Sequence, residues 1–305
     1  MKILRLIASI CLFLLFSGAA SAEDRSRILL INSDASVEKY KEAQEEFKKA
    51  LARPVQEIHL EEKKWKLSEV EDFLYDEDPD LVYCIGSKAY LVANKYVGDK
   101  DIIFSSIINW QRLPRAKKMY GVSNELHTEM QITLYRYIFP TVKRIGVLYN
   151  EKYNSQWFAK THRDAAAMGV EIIGQTVSGE KDTVAALREL LPKIDALWLI
   201  SDPVIMSDKK VLSEAFNVCD AQKMPVFTYH EVYAQYGAVL MVSVDNPTLG
   251  RQAASIAMEV LAGEKLEERV QFPAGSRIIL NLKKIKQYCV EYREEALASV
   301  NEIIE

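Results

Sequence analysis

Two stretches of this chain repeat one pattern: residues 120–139, YGVSNELHTEMQITLYRYIF, and residues 238–263, AVLMVSVDNPTLGRQAASIAMEVLAG. Each carries an apolar β-type run ending in Val-Ser, a short polar link, and then apolar residues at helical spacing. A chain that crosses twice between two similar lobes has this form. Two lobes joined in this way are expected to leave a cleft for a small ligand, so the pattern points to binding.

The segments around these crossings share a rhythm. RILLIN (27–32) reads as a strand, followed by a helix whose Val37, Tyr40, Phe47 and Leu51 share a face. VQEIHL (55–60) precedes LSEVEDFLY, LVYCIG (81–86) precedes SKAYLVANKYV, and IIFSSII (102–108) follows. RIGVLYN (144–150) restarts the series, with helices predicted over 155–168, 183–191 and 209–222 and strands at EIIGQTV, ALWLIS and PVFTYH. Such alternation makes parallel sheets covered by helices. After the second crossing helix, VQFPAGSRIILNLKKIKQY returns the chain to the second lobe, which gives three connections. Asn124 and residues 243–246 are the hinge candidates. The expected lobes are residues 23–123 with 245–271, and residues 124–244 with 272–305.

Residues 1–22 read as a cleaved export signal: Lys2 and Arg5 precede an uncharged apolar run over 6–16, and Ala20-Ser21-Ala22 precedes Glu23. The run is shorter than the ~20 residues a membrane span requires. Residue 10, before Cys11, is Ile rather than the small residue of a lipoprotein site. Removing the signal takes away two positive charges and moves the formal net charge from −4 to −6. Lysines alternate with glutamates in EFKKALARP and EEKKWK, and no basic stripe is interleaved with aromatics, which excludes nucleic acid as the expected partner. Cys84, Cys219 and Cys289 are widely spaced, without C-x-x-C, so no zinc site is indicated and one disulfide stays open. Cys84 and Cys219 fall on apolar faces and read as small buried hydrophobes.

In parallel sheets, ligands meet the carboxyl ends of the strands, where loops and helix N-termini present free N–H groups. In the first lobe these positions hold Asn32, Ser33 and Asp34, then Ser87, then Ser106, Asn109 and Trp110. Ser87 follows Gly86 and opens a helix, so its hydroxyl can meet a ligand carboxylate or cap the helix. In the second lobe they hold Asn150, Tyr153 and Asn154, then Ser201 and Asp202, then Thr228 and Tyr229. Asp202 either accepts a ligand ammonium or anchors the turn SDPVIMSD. Asp245, at the second crossing, is the preferred amine partner, with a structural role in the hinge as its alternative. Trp110, Tyr153, Trp157 and Tyr229 can stack on a planar ligand or serve as wall, whereas Trp198 in ALWLIS reads as core.

No nucleophile elbow, P-loop, dinucleotide fingerprint or H-E-x-x-H is present. HRD at 162–164 sits within a predicted helix without the rest of a kinase set, and His59, His127 and His230 have no ligand spacing. The residues therefore point to no enzyme, cofactor or metal. Four segments carry a family resemblance: FPTVKRIGVLYN (139–150), AAAMGVEI (165–172), LGRQAASIAMEVLAGEK (249–265) and RIILNLKKIKQY (277–288). In this order they resemble the substrate-binding proteins of ABC transporters, including the tryptophan and tyrosine binders. The chain departs from that family at IINWQRLPRAKKMYGVSNE, where an Asp-Pro-Val segment and a Gly-Asn-x-Thr-Gly turn are common. The resemblance implies a type I periplasmic-binding-protein fold: two Rossmann-like α/β lobes with parallel sheets, joined by a three-strand hinge. It also implies a receptor that closes on a small polar ligand, such as an amino acid or related carboxylate, and presents it to an inner-membrane ABC permease; the export signal points to the periplasm as its compartment, and a monomer is expected. A sensor that reports ligand to a membrane receptor is the alternative.

Overall fold

The computed structural model describes residues 26–61 and 65–305, so the expected export signal lies outside the described residues. The chain divides into two compact units. One runs to Val122 and includes Asn246–Gln271; the other comprises Ser123–Asp245 and Phe272–Glu305. The chain therefore passes three times from one unit to the other.

The first unit opens with β1 (Ile28–Asn32), α1 (Glu38–Leu51), β2 (Gln56–His59), α2 (Leu67–Glu77), β3 (Leu81–Ile85), α3 (Ser87–Tyr96), β4 (Asp101–Ser105) and β5 (Met119–Val122). The second unit continues with α4 (Thr128–Ile138), β6 (Arg144–Tyr149), α5 (Glu151–Ala167), β7 (Glu171–Thr176), α6 (Thr183–Leu190), β8 (Ala196–Leu199), α7 (Lys209–Ala221), β9 (Val226–Thr228) and β10 (Leu240–Val244). The chain then returns to the first unit for α8 (Asn246–Leu261) and β11 (Val270–Gln271). It ends in the second with β12 (Ser276–Asn281), α9 (Leu282–Tyr288) and β13 (Glu302–Ile304).

The first sheet has the order β11-β5-β4-β3-β1-β2 and is parallel throughout. Strands β1 and β3 are buried along their whole length, as continuous apolar runs in a sheet covered on both faces must be. On one face Leu29, Val82, Cys84, Ile102 and Phe104 pack with Tyr90 and Ala93 of α3. On the other, α1 and α8 approach closely, because Gly250 presents no side chain to the backbone of Ala43.

The second sheet has the order β13-β12-β10-β9-β8-β6-β7. It departs from the all-parallel expectation at one place, where β12 runs antiparallel to β10. The chain re-enters this unit beside the strand end it left, with the Asp245 N–H donating to Gly275 O at 3.2 Å. A strand that starts there can only run back along β10, with no crossover to reverse it. Trp198 is 2% exposed, as expected of a core residue. It lies edge-on to Tyr135, whose neighbours include Phe227.

Two boundaries differ from the sequence expectation. Helix α5 begins at Glu151 rather than 155 because Asn150 Oδ1 accepts the Lys152 N–H at 3.1 Å and so caps it earlier. The strand predicted over 102–108 ends at Ser105, since Ser106 turns the backbone to a φ of 60°. Cys84 and Cys219 are buried, Cys289 is exposed, and all three thiols are free. Among the described residues no helix is long and apolar enough to cross a membrane.

Candidate functional site at the carboxyl edges of the two sheets

Ser33, Ser87 and Ser106 follow β1, β3 and β4, which are neighbours in the first sheet, so the fold brings the three serines to one stretch of its carboxyl edge. The strand ends are tied together: the Ser33 N–H donates to Ile85 O and the Gly86 N–H to Ser105 O, both at 3.0 Å. The three hydroxyls have different surroundings. Ser33 Oγ accepts the Ala89 N–H at 3.0 Å and so caps α3 from another strand. The capping position itself is Gly86, whose φ of 84° favours glycine and whose added Cβ would lie 2.7 Å from Ser33 Oγ. Ser87 is the first residue of α3 and half-buried. Ser106 is 6% exposed, and its Oγ has no hydrogen-bond partner. An unmet buried hydroxyl costs about 1–3 kcal/mol.

Asn109 and Trp110 follow Ser106 by three and four residues in the chain. Asn109 has a φ of 56° before the short 3-10 helix Trp110–Arg112. The Trp110 ring stands 5.7 Å from Phe104 and packs against the first unit's core.

In the second unit, Asp202 gathers the ends of β6 and β8. One oxygen accepts the Asn150 N–H at 2.8 Å and Asn154 Nδ2 at 2.5 Å. The other accepts the N–H groups of Val204 at 2.9 Å and Ile205 at 3.3 Å. Four donors match the acceptor capacity of a carboxylate, and they tie the turn after β8 to the start of α5. Asn150 also donates from Nδ2 to Val177 O at 2.7 Å, which joins β7 to the same knot. Ser201 precedes Asp202 and is half-buried.

Tyr229 follows β9, and its hydroxyl lies 2.8 Å from that of Tyr233, which donates to Met206 Sδ at 3.2 Å. Burial, reinforced by the neighbouring Tyr233, pushes the Tyr229 phenol well above its ordinary range, so it serves as a neutral hydrogen-bonding group. Tyr153 is 40% exposed under the Lys152 ammonium. Asp245 is half-buried directly after β10, at the junction with α8.

Gln44 escaped the sequence reading. It sits in the charged run EKYKEAQEEF, which reads as a solvated face. Its spacing was the available signal: it falls four after Tyr40 and three before Phe47, on the apolar stripe, and it is 9% exposed. Its Oε1 accepts from Asn32 Nδ2 at 2.7 Å.

The family model of ABC transporter substrate binding proteins matches residues 31–304. The chain belongs to this family. A tyrosine-binding protein of Clostridioides difficile (strain R20291) is 26% identical over 196 residues, which cover 61% of this chain and 56% of that protein. The chain thus matches little more than half of that relative's length. A ligand-free, open substrate-binding protein with adhesive properties from Clostridium difficile superposes with a TM-score of 0.70 at 17% identity, covering 91% of this chain and 99% of that one. An ABC domain in complex with L-Trp from Streptococcus pneumonia superposes with a TM-score of 0.62 at 18% identity, covering 92% of this chain and 100% of that one. The fold is that of the type I periplasmic binding proteins.

Proposed function

We propose that this protein is the exported receptor of an ABC uptake system and that its ligand is an L-amino acid or a close small-carboxylate relative. The observation that carries this reading is the buried, unpartnered Ser106 hydroxyl just after β4, the strand beside β3, whose end leads into Ser87 at the N-terminus of α3. A helix N-terminus carries a partial positive charge and free N–H groups, so a carboxylate there gains both hydrogen bonds and a favourable field. Ser87 and Ser106 are the carboxylate seat in this reading, and Ser33 holds the helix in place. Asp245 is the partner of the ammonium group. Asp202 positions Asn150 and Asn154 rather than binding the amine, since its acceptor positions already have protein donors. Tyr229 and Trp110 supply aromatic wall to a planar side chain. The relatives, one named for tyrosine and one solved with L-Trp, support an aromatic amino acid as the first ligand to test. Closure of the lobes through the three connections is the ligand-driven step that a permease would read.

A thermal-shift screen of the protein from Glu23 onward against L-amino acids, nucleosides, sugars and small organic acids tests this directly. A ligand at 100 times its dissociation constant adds about 2.7 kcal/mol. The expected result is a raised melting temperature with an L-amino acid, lost or much reduced in Ser87→Ala. A screen in which nucleosides or sugars respond and amino acids do not would overturn the carboxylate reading. Uptake of the labelled ligand should fall when the gene is deleted; unchanged uptake would point instead to a sensing role.

A further inference from the structure

A polar relay runs from the edge strand of the first unit to the loop at its carboxyl edge. Gln44, on the buried face of α1, donates from Nε2 to Glu57 Oε2 at 2.6 Å, and that nitrogen lies 3.2 Å from His59 Nε2. Its Oε1 accepts from Nδ2 of the fully buried Asn32 at 2.7 Å. Asn32 Oδ1 in turn accepts the N–H of Asp34 at 3.0 Å. The direction of each bond follows from one end. A carboxylate only accepts, so Gln44 turns its NH2 to Glu57 and its carbonyl to Asn32. Asn32 must then turn its NH2 to Gln44 and its carbonyl to the loop. That loop carries Ser33, whose Oγ accepts the Ala89 N–H in the first turn of α3 at 3.0 Å.

We propose that Gln44 is a positioning residue for ligand binding. Through Asn32 it sets the backbone at 33–34, through Ser33 it seats the first turn of α3, and so it presents Ser87 to the ligand. The proposal rests on the carboxylate seat assigned above to Ser87 and Ser106. Nothing at position 44 touches the ligand; its effect passes through two hydrogen-bonded side chains and a loop.

Three variants of the full exported chain test it: Gln44→Met, which keeps length but removes both polar ends; the exchanged pair Gln44→Glu with Glu57→Gln; and Ser87→Ala. In the exchanged pair the amide on the strand donates to the carboxylate on the helix, and the other carboxylate oxygen still accepts from Asn32. Two quantities are read: amide hydrogen exchange at Asp34 and Ala89 without ligand, and the preference for L-tyrosine over L-tyrosinamide by calorimetry. Gln44→Met is expected to speed exchange at both amides about tenfold and to cut the preference about tenfold, and the exchanged pair to restore both. Unaltered exchange in Gln44→Met, or no recovery in the exchanged pair, overturns the relay. A preference that falls in Ser87→Ala but not in Gln44→Met overturns the positioning role. A preference unmoved in both overturns the carboxylate seat itself.

Discussion

Ser106 and Asp202 are both buried polar residues after strands, yet the protein treats them oppositely. The Ser106 hydroxyl has no partner, so without ligand its desolvation is uncompensated. Ser106→Ala should leave stability unchanged or raise it by up to about 1 kcal/mol, while weakening amino-acid binding about tenfold, or about 1.4 kcal/mol. Urea unfolding and calorimetry on the same variant separate the two effects. If affinity is unchanged, Ser106 does not contact the ligand. Asp202 is the reverse case, with four protein donors on its carboxylate. Asp202→Asn would turn an NH2 towards at least one of those donors. The expected loss is about 2–3 kcal/mol in urea unfolding, in the range for hydrogen bonds to a charged group.

Among the helices, α1 and α8 depend most on one small residue. A Cβ at Gly250 would stand 2.2 Å from Ala43 O and 2.9 Å from Phe47 N, both backbone atoms that a rotamer change cannot move. The buried residues of α8 around it include Ala253, Ala254 and Ala257, so the helices meet nearly backbone to backbone. Gly250→Ala should therefore cost about 3 kcal/mol by forcing the helices apart. Differential scanning calorimetry would show it as a lowered melting temperature. A neutral result would mean that α8 can shift without loss of packing. The motif LGRQAASIAMEVLAGEK carried part of the family resemblance, and this close approach is a physical reason for its small residues.

Acid should destabilise the protein through carboxylates of the second unit. The Lys160 ammonium, hydrogen-bonded to Glu129, holds that carboxyl down to about 2 from an ordinary 4.5. Burial works upward on Asp195, but the Arg144 guanidinium and the N–H groups of Arg144 and Lys143 outweigh it and lower its pKa. Lys284, and then Tyr288, lower that of Asp220. Folded values below unfolded ones mean that these groups stabilise the native state above the ordinary carboxylate range. That contribution disappears as pH falls through the folded values. The urea midpoint should accordingly hold between about pH 7 and 5 and decline from about 4.5 towards 2, with a shallower decline in Glu129→Gln. A midpoint that does not fall over that interval would contradict these assignments.

Much of the fold was legible because burial leaves its mark at a fixed period. Apolar runs such as LVYCIG and ALWLIS, alternating with amphipathic helices, specify parallel sheets between helices. Those runs placed Cys84 and Trp198 in the core, and the apolar face of the helix predicted over 209–222 placed Cys219 there, where all three lie. The sequence by itself thus determined the class of the fold, the strand ends at which candidate residues stand, and the family. Only the tertiary structure decided what each of those residues does in its surroundings. Ser33 and Ser106 look alike in sequence, but strand order puts one hydroxyl on the first turn of α3 and leaves the other without a partner. Gln44 gains its partners from β1 and β2, and β12 its direction from the strand end beside which the chain returns. Hydrogen bonds and packing between segments distant in the chain depend on orientation in space, and no local pattern of residue types encodes that.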